Sequence, residues 1–253
     1  DEYINLDLAD KKINWDHYLK DIDIVVHLAA KQHKINSNES LVDYNLINSE
    51  AVKKIIKSCI KNKVKKFIFL STIKVFGDKN DIGRAFKFDD KPNPKDYYGI
   101  SKYNGELELT KSLNQNKTEI YILRIPLVYG SDPKGYLSIF YNFSKFKVPL
   151  PLKCFNDNLR SFLSIYNLVD FIVHLIKNKN NYSGLYLLSD SKDLSTYDFL
   201  YQISKKNNSN IRFFYLPKFI LKFFFLITLK INIYNKLNNS LRLDPNPTFK
   251  KFN

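Results

Sequence analysis

Tyr98 and Lys102 stand four positions apart in the run Tyr98-Gly99-Ile100-Ser101-Lys102. On a helix that spacing puts both side chains on one face, one turn apart. A phenol beside an ammonium is a proton-handling pair: the free phenol has a pKa of about 10, and a neighbouring cation favours the phenolate and brings it nearer to working range. A chain with 17 Tyr and 40 Lys and Arg makes such pairs by chance, so the surroundings decide. Thr72 closes the apolar run Lys66-Phe67-Ile68-Phe69-Leu70-Ser71, and the small pair Ala29-Ala30 closes another, Asp23 to Leu28. A hydroxyl, a phenol and an ammonium gathered at one place can hold and protonate a carbonyl oxygen, or take the proton of an alcohol. That is the acid–base half of a hydride transfer at a sugar carbon.

The elements that must gather them are legible as runs. Residues 23–28, 66–70 and 119–124 each carry a continuous apolar centre, as in parallel strands covered on both faces. Residues 3–8 read as a further short strand ending at a carboxylate. Between them, 15–20, 48–62 and 96–113 have helical character, the second with Ala51, Val52, Ile55, Ile56 and Cys59 on one stripe. Strand and helix in alternation predict an α/β fold, a Rossmann-like doubly wound parallel sheet, whose strand carboxyl ends share the edge where ligands bind. After Gly130 the pattern changes: helices over 136–145, 167–178 and 195–205, strands over 161–165, 184–188 and 211–216, and a helix opened by Pro217. A soft boundary near 131 divides a partial nucleotide-binding domain, 1–130, from a smaller α+β substrate-binding region, 131–253, some of whose elements return to the first sheet.

The motifs, in order, resemble those of the extended short-chain dehydrogenase/reductases, the NAD-dependent epimerase/dehydratase family. His27-Leu28-Ala29-Ala30 is similar to its HxAA segment, and Asn48-Ser49-Glu50 stands where it has Asn-x-x-Gly-Thr. The run from Phe69 through Ser71 and Thr72 to Gly77 matches its strand-end hydroxyl segment, Tyr98 to Lys102 its YGxSK, and Leu123 to Gly130 its LRxPxVYG. The resemblance implies Tyr98 as general acid/base, Lys102 as ligand of the nicotinamide ribose, and Thr72 as hydrogen-bond partner of the reacting oxygen. It implies Asp7 and Leu8 beside the adenine; Leu28, Ala29 and Ala30 under the pyrophosphate and ribose; Asn48 behind the strand ends; and Ser71, Pro126 and Val128 around the nicotinamide. Arg160 would grip the nucleotide-sugar diphosphate, with NAD or NADP as cofactor and no metal. Within the family the segments look most like UDP-2-acetamido-2,6-dideoxy-hexulose 4-reductases, then UDP-glucose 4-epimerases. The family's glycine-rich phosphate loop is not formed by any of the seven glycines (77, 83, 99, 105, 130, 135, 184), which implies a first βαβ unit upstream of Asp1 and weak cofactor binding by this polypeptide. A homodimer built on the helices at 48–62 and 97–113 is also implied.

Composition narrows the remaining classes. Two cysteines in no metal or redox spacing suit a reducing, cytoplasmic setting. The formal charge of +15 comes with lysines spread along the chain, so it argues for no nucleic-acid partner, while it would suit an anionic nucleotide sugar. The stretch 219–231 is rich in Phe, Ile and Leu but interrupted by lysines, too short for a span of about 20 residues; it leaves peripheral membrane contact open. The competing readings are a non-catalytic binding protein of the same fold and a basic membrane-surface or nucleic-acid-binding protein.

Overall fold

The computed structural model describes residues 3–32, 39–81, 83–113, 117–130, 149–180, 182–206 and 211–252. Four strands, β1 (Ile24–His27), β2 (Lys66–Thr72), β3 (Glu119–Ile125) and β6 (Gly184–Leu187), form one sheet in the order β1-β2-β3-β6, all parallel. Registers such as His27 to Phe69 and Thr72 to Ile125 align the carboxyl ends along one edge.

The continuous apolar runs are explained by cover on both faces. Strand side chains alternate, so Phe67, Phe69, Ile120 and Ile122 pack on one side with Val52, Ile55, Ile56 and Cys59 of α3 (Ala51–Lys61) and Leu109 of α4 (Tyr97–Thr110). Ile68, Tyr121 and Leu123 face the other side with Leu168 and Leu175 of α5 (Ile165–Lys177). Burying each such side chain contributes about 1.5–3 kcal/mol, so the sheet centre is anchored from both faces. Pro126 ends β3, having no N–H for the ladder. The chain then starts a second, two-stranded parallel sheet, β4 (Leu127–Tyr129) with β5 (Phe162–Ser164). This second strand at 127–129 has no counterpart in the sequence reading.

Other expectations change. Residues 3–8 form no strand: the Asp7 carboxylate accepts the Ala9 amide at 2.9 Å and folds the segment into a turn. The strand expected over 211–216 reduces to a single bridge between Leu150 and Phe213. The helix expected from residue 48 begins earlier, with α2 (Leu41–Asn45) capped reciprocally by Ser40 and Asp43, and passes through a π turn (Leu46–Glu50) into α3. The helix expected over 136–145 lies outside the described residues. Ser195 caps α6 (Thr196–Lys206) by accepting from the Asp198 amide at 2.9 Å, and Pro217 precedes α7 (Lys218–Ile227), which is followed by α8 (Ile231–Asn238) and α9 (Asn246–Phe252).

Candidate active site

Helix α4 carries Tyr98 and Lys102 to the sheet edge, and two glycines let it come close. Asp96 caps its start, accepting from the Gly99 amide at 2.7 Å. A Cβ on Gly99 would stand 2.7 Å from the Lys74 carbonyl oxygen, and one on Gly105 would run into the carbonyl of Asn48. The first glycine lets α4 press against the segment leaving β2, and the second lets it press against the π turn.

Tyr98 and Thr72 meet there. The Thr72 hydroxyl lies close enough to the Tyr98 phenol to pull its pKa down, and it also accepts from the Lys74 amide at 3.3 Å. Burial pushes the Tyr98 phenol up to about 12, against the smaller opposite pull of the Thr72 hydroxyl. Lys102, one turn on, is 1 % exposed, with Nζ 3.8 Å from the centroid of the Phe69 ring. Burial brings its ammonium down to about 7, with Glu106 acting in the opposite sense. The expected lowering of Tyr98 by Lys102 is therefore not realised. Loss of hydration dominates for both groups, and the ammonium faces Phe69 and Glu106.

Behind the pair lies a network that the motif reading passed over. Glu106 takes a bidentate ion pair from Arg124 of β3, with contacts of 2.6, 3.0 and 3.2 Å, and a hydrogen bond from the Ser71 hydroxyl. All three are buried. Ser71, expected to line the nicotinamide site, is engaged with this carboxylate. The spacing carried the signal: Glu106 is four residues beyond Lys102, one further turn along the same face.

Asn48 is fully buried in the π turn. Its Oδ1 accepts from the Lys31 amide at 2.8 Å, and its Nδ2 donates to the Lys31 carbonyl at 2.8 Å and to the Ser101 hydroxyl at 2.9 Å. One side chain thus ties the segment after β1 to α4, at a helix irregularity of the kind that often marks functional sites. In that segment Leu28 is 60 % exposed and Ala29 and Ala30 are exposed. His27, just before them, lies buried against Phe69 and Phe67, with Nε2 lacking a partner among the described residues. Burial, helped by the Lys102 charge, takes its imidazole down to about 4.

The remaining expected residues are more dispersed. Asp7 is exposed, Leu8 packs at the margin of the α3 core, Pro126 is buried, and Val128 leans on the α5 side. Arg160 is also buried, and its Nη1 donates to the carbonyls of Lys236 and Asn239, at 2.7 and 3.0 Å, closing the end of α8. Among the described residues no three His, Cys, Asp or Glu side chains are grouped to hold a metal. Cys59 and Cys154 are buried and free.

The donor set fits the reactive half of a nicotinamide cofactor. An exposed small-residue segment at one strand end adjoins a hydroxyl–phenol pair at the next, with an amine one helical turn away. The family model described as "NAD dependent epimerase/dehydratase family" matches residues 2–186. The chain belongs to that family. Among relatives of this epimerase/dehydratase, a UDP-glucose 4-epimerase of Vibrio cholerae is 32% identical over 228 residues, covering 89% of this chain and 70% of that protein. An N-acetyl-alpha-D-glucosaminyl-diphospho-ditrans,octacis-undecaprenol 4-epimerase of Escherichia coli O157:H7 is 28% identical over 207 residues, 80% of this chain and 60% of that one. The fold matches the Bordetella bronchiseptica enzyme WbmG in complex with NAD at a TM-score of 0.74, 18% identity, covering 98% of this chain and 72% of that one. The family is NAD(P)-dependent and its members are enzymes.

Proposed function

We propose that this epimerase/dehydratase is a nucleotide-sugar 4-epimerase or 4-ketoreductase acting on a UDP-hexose for surface polysaccharide synthesis. The observation that supports this most directly is the Tyr98 phenol set beside the Thr72 hydroxyl at the carboxyl edge of the parallel sheet, with Lys102 one turn along α4. The nicotinamide, when bound, supplies or accepts the hydride. Tyr98 moves the proton at the sugar oxygen, and Thr72 holds that oxygen in line with the phenol. Lys102 holds the ribose, Asn48 fixes the segment of Leu28, Ala29 and Ala30 against which the cofactor lies, and Asp7, Leu8, Ser71, Pro126 and Val128 complete its surroundings. Arg160 serves the diphosphate of the substrate by releasing one of its carbonyl partners on α8. Two copies pair through α3 and α4.

The phenol at about 12 is set for the proton-bound form, which suits an acid waiting for a ketone. Tyr98→Phe keeps the ring and removes the proton. Assayed with NAD(P)H and a UDP-4-keto sugar, and with NAD and UDP-glucose, the full chain as encoded should show turnover in at least one pair. Tyr98→Phe should lose roughly 10²–10⁴-fold without change in circular dichroism. Full activity of that variant would refute the assignment.

A further inference from the structure

Helix α7 buries little of what it carries. Leu221, with part of Phe225, packs on the satellite core of Cys154, Phe155 and Tyr234. Phe219, Phe223, Phe224 and Ile227 stand out from the surface at 59–73 % exposure, with Ile233 of α8 beside them. Scattered apolar residues on a surface are ordinary, but a contiguous group of this size marks an interaction site.

The turn between α7 and α8 adds an independent sign. Leu229 is 92 % exposed and has φ of 55°. It sits just past the helix end, where the Lys230 amide reaches back to the Phe225 carbonyl at 2.8 Å. That left-handed position normally goes to glycine, because a side chain there costs free energy. A leucine at the tip of the hairpin packs against nothing in the fold that could offset the cost, so its use lies outside the folded chain.

Charge identifies the partner. From Asp198 to Asp244 the sequence contains no intervening Asp or Glu, yet eight Lys and Arg. Lys222 and Lys230 are exposed within the apolar group itself, while Lys218 is paired with Asp157. Two copies meeting through this face would bring Lys222 and Lys230 against their own counterparts with no acid on α7 or α8 to answer them. A phospholipid surface bearing negative charge answers both features: the rings and aliphatics enter the headgroup boundary and the ammonium groups meet the phosphates. No helix among the described residues is long and apolar enough to cross a membrane, and α7, ten residues or about 15 Å long, falls well short of a hydrocarbon core about 30 Å thick.

We infer that the α7–α8 hairpin docks this protein on anionic phospholipid bilayers, with Leu229 and the Phe219–Ile227 face inserted and Lys222 and Lys230 at the phosphates. This holds whatever reaction the protein performs. The test is sedimentation of the full chain with phosphatidylglycerol–phosphatidylcholine vesicles and with phosphatidylcholine vesicles, at low and high salt. Binding should require the anionic lipid and weaken with salt. Phe223→Ser with Ile227→Ser should reduce it by about tenfold or more, and Lys222→Gln with Lys230→Gln should reduce it several-fold and flatten the salt dependence. All four side chains are exposed, so the variants should retain the wild-type melting temperature. A Leu229→Trp variant should shift its emission to shorter wavelength on adding anionic vesicles. The inference is overturned if wild type ignores the vesicles, if the Phe223/Ile227 variant binds them equally, or if that variant instead splits a dimer that does not bind lipid.

Discussion

A lysine ammonium pressed against a phenylalanine ring has exchanged water for a weaker partner, and Lys102 answers by holding its proton less tightly. Its pKa is about 7 in the fold against the ordinary 10.5. Between those values the unfolded chain binds more protons than the folded one, so stability rises with pH across that window and the penalty is complete below about 7. His27 behaves alike lower down: depressed from 6.5 to about 4, it makes stability rise with pH from about 4 to 6.5. At about 1.4 kcal/mol per unit, the His27 penalty reaches roughly 3 kcal/mol when fully expressed. Urea midpoints measured against pH should therefore show a slope from about 4 to 6.5 that His27→Leu removes, and one from about 7 to 10.5 that Lys102→Met removes. A wild-type slope unchanged in either variant would contradict the burial assigned to that group. The Glu106–Arg124 pair gives a different signature. Glu106→Gln alone leaves a buried guanidinium uncompensated and should cost about 3–5 kcal/mol, whereas Glu106→Leu with Arg124→Met should restore most of it, measured as a double-mutant cycle in urea. At this scale the sequence displays side-chain identity and spacing, enough to pick out Tyr98, Lys102 and Thr72. It conceals which way a hydroxyl turns. Ser71 faces Glu106 and Arg160 faces the end of α8, because buried charges found partners that lie far away in the sequence.

Secondary-structure elements were easier to read where both faces are covered. The runs at 66–70 and 119–124 became β2 and β3 because their apolar centres, Phe67 to Leu70 and Ile120 to Leu123, are covered by helices on both faces. The segments at 3–8 and 211–216 lack that cover: the first folds into an Asp7 turn, and the second meets only the short stretch around Leu150 through a single bridge. The π turn was invisible, since no residue type signals it, and with it went the earlier start of the helix at Leu41. Its role can be tested through Gly105. A methyl group there collides with the Asn48 carbonyl, and overpacking of this kind costs typically 1–3 kcal/mol. Gly105→Ala should lower the melting temperature and also speed hydrogen exchange at the Lys31 amide, which Asn48 holds. Asn48→Ala should produce the same exchange effect without the collision. A protected Lys31 amide in both would separate α4 from the segment after β1.

For the molecule as a whole, the edge of the sheet gathers Thr72, Tyr98 and Lys102, while no glycine run in the 253 residues matches a phosphate loop. Calorimetry on this polypeptide should accordingly register weak NAD binding, with tight binding counting against that expectation. The strand order carries one more consequence. β6 is guarded on its outer side by α9, where Thr248 donates to the Leu187 carbonyl at 2.8 Å, but β1 ends the sheet with no hydrogen-bonded neighbour among the described residues. The backbone groups of an edge strand are where a sheet takes on a further strand, so the β1 side is where this sheet can grow, while α9 closes the β6 side.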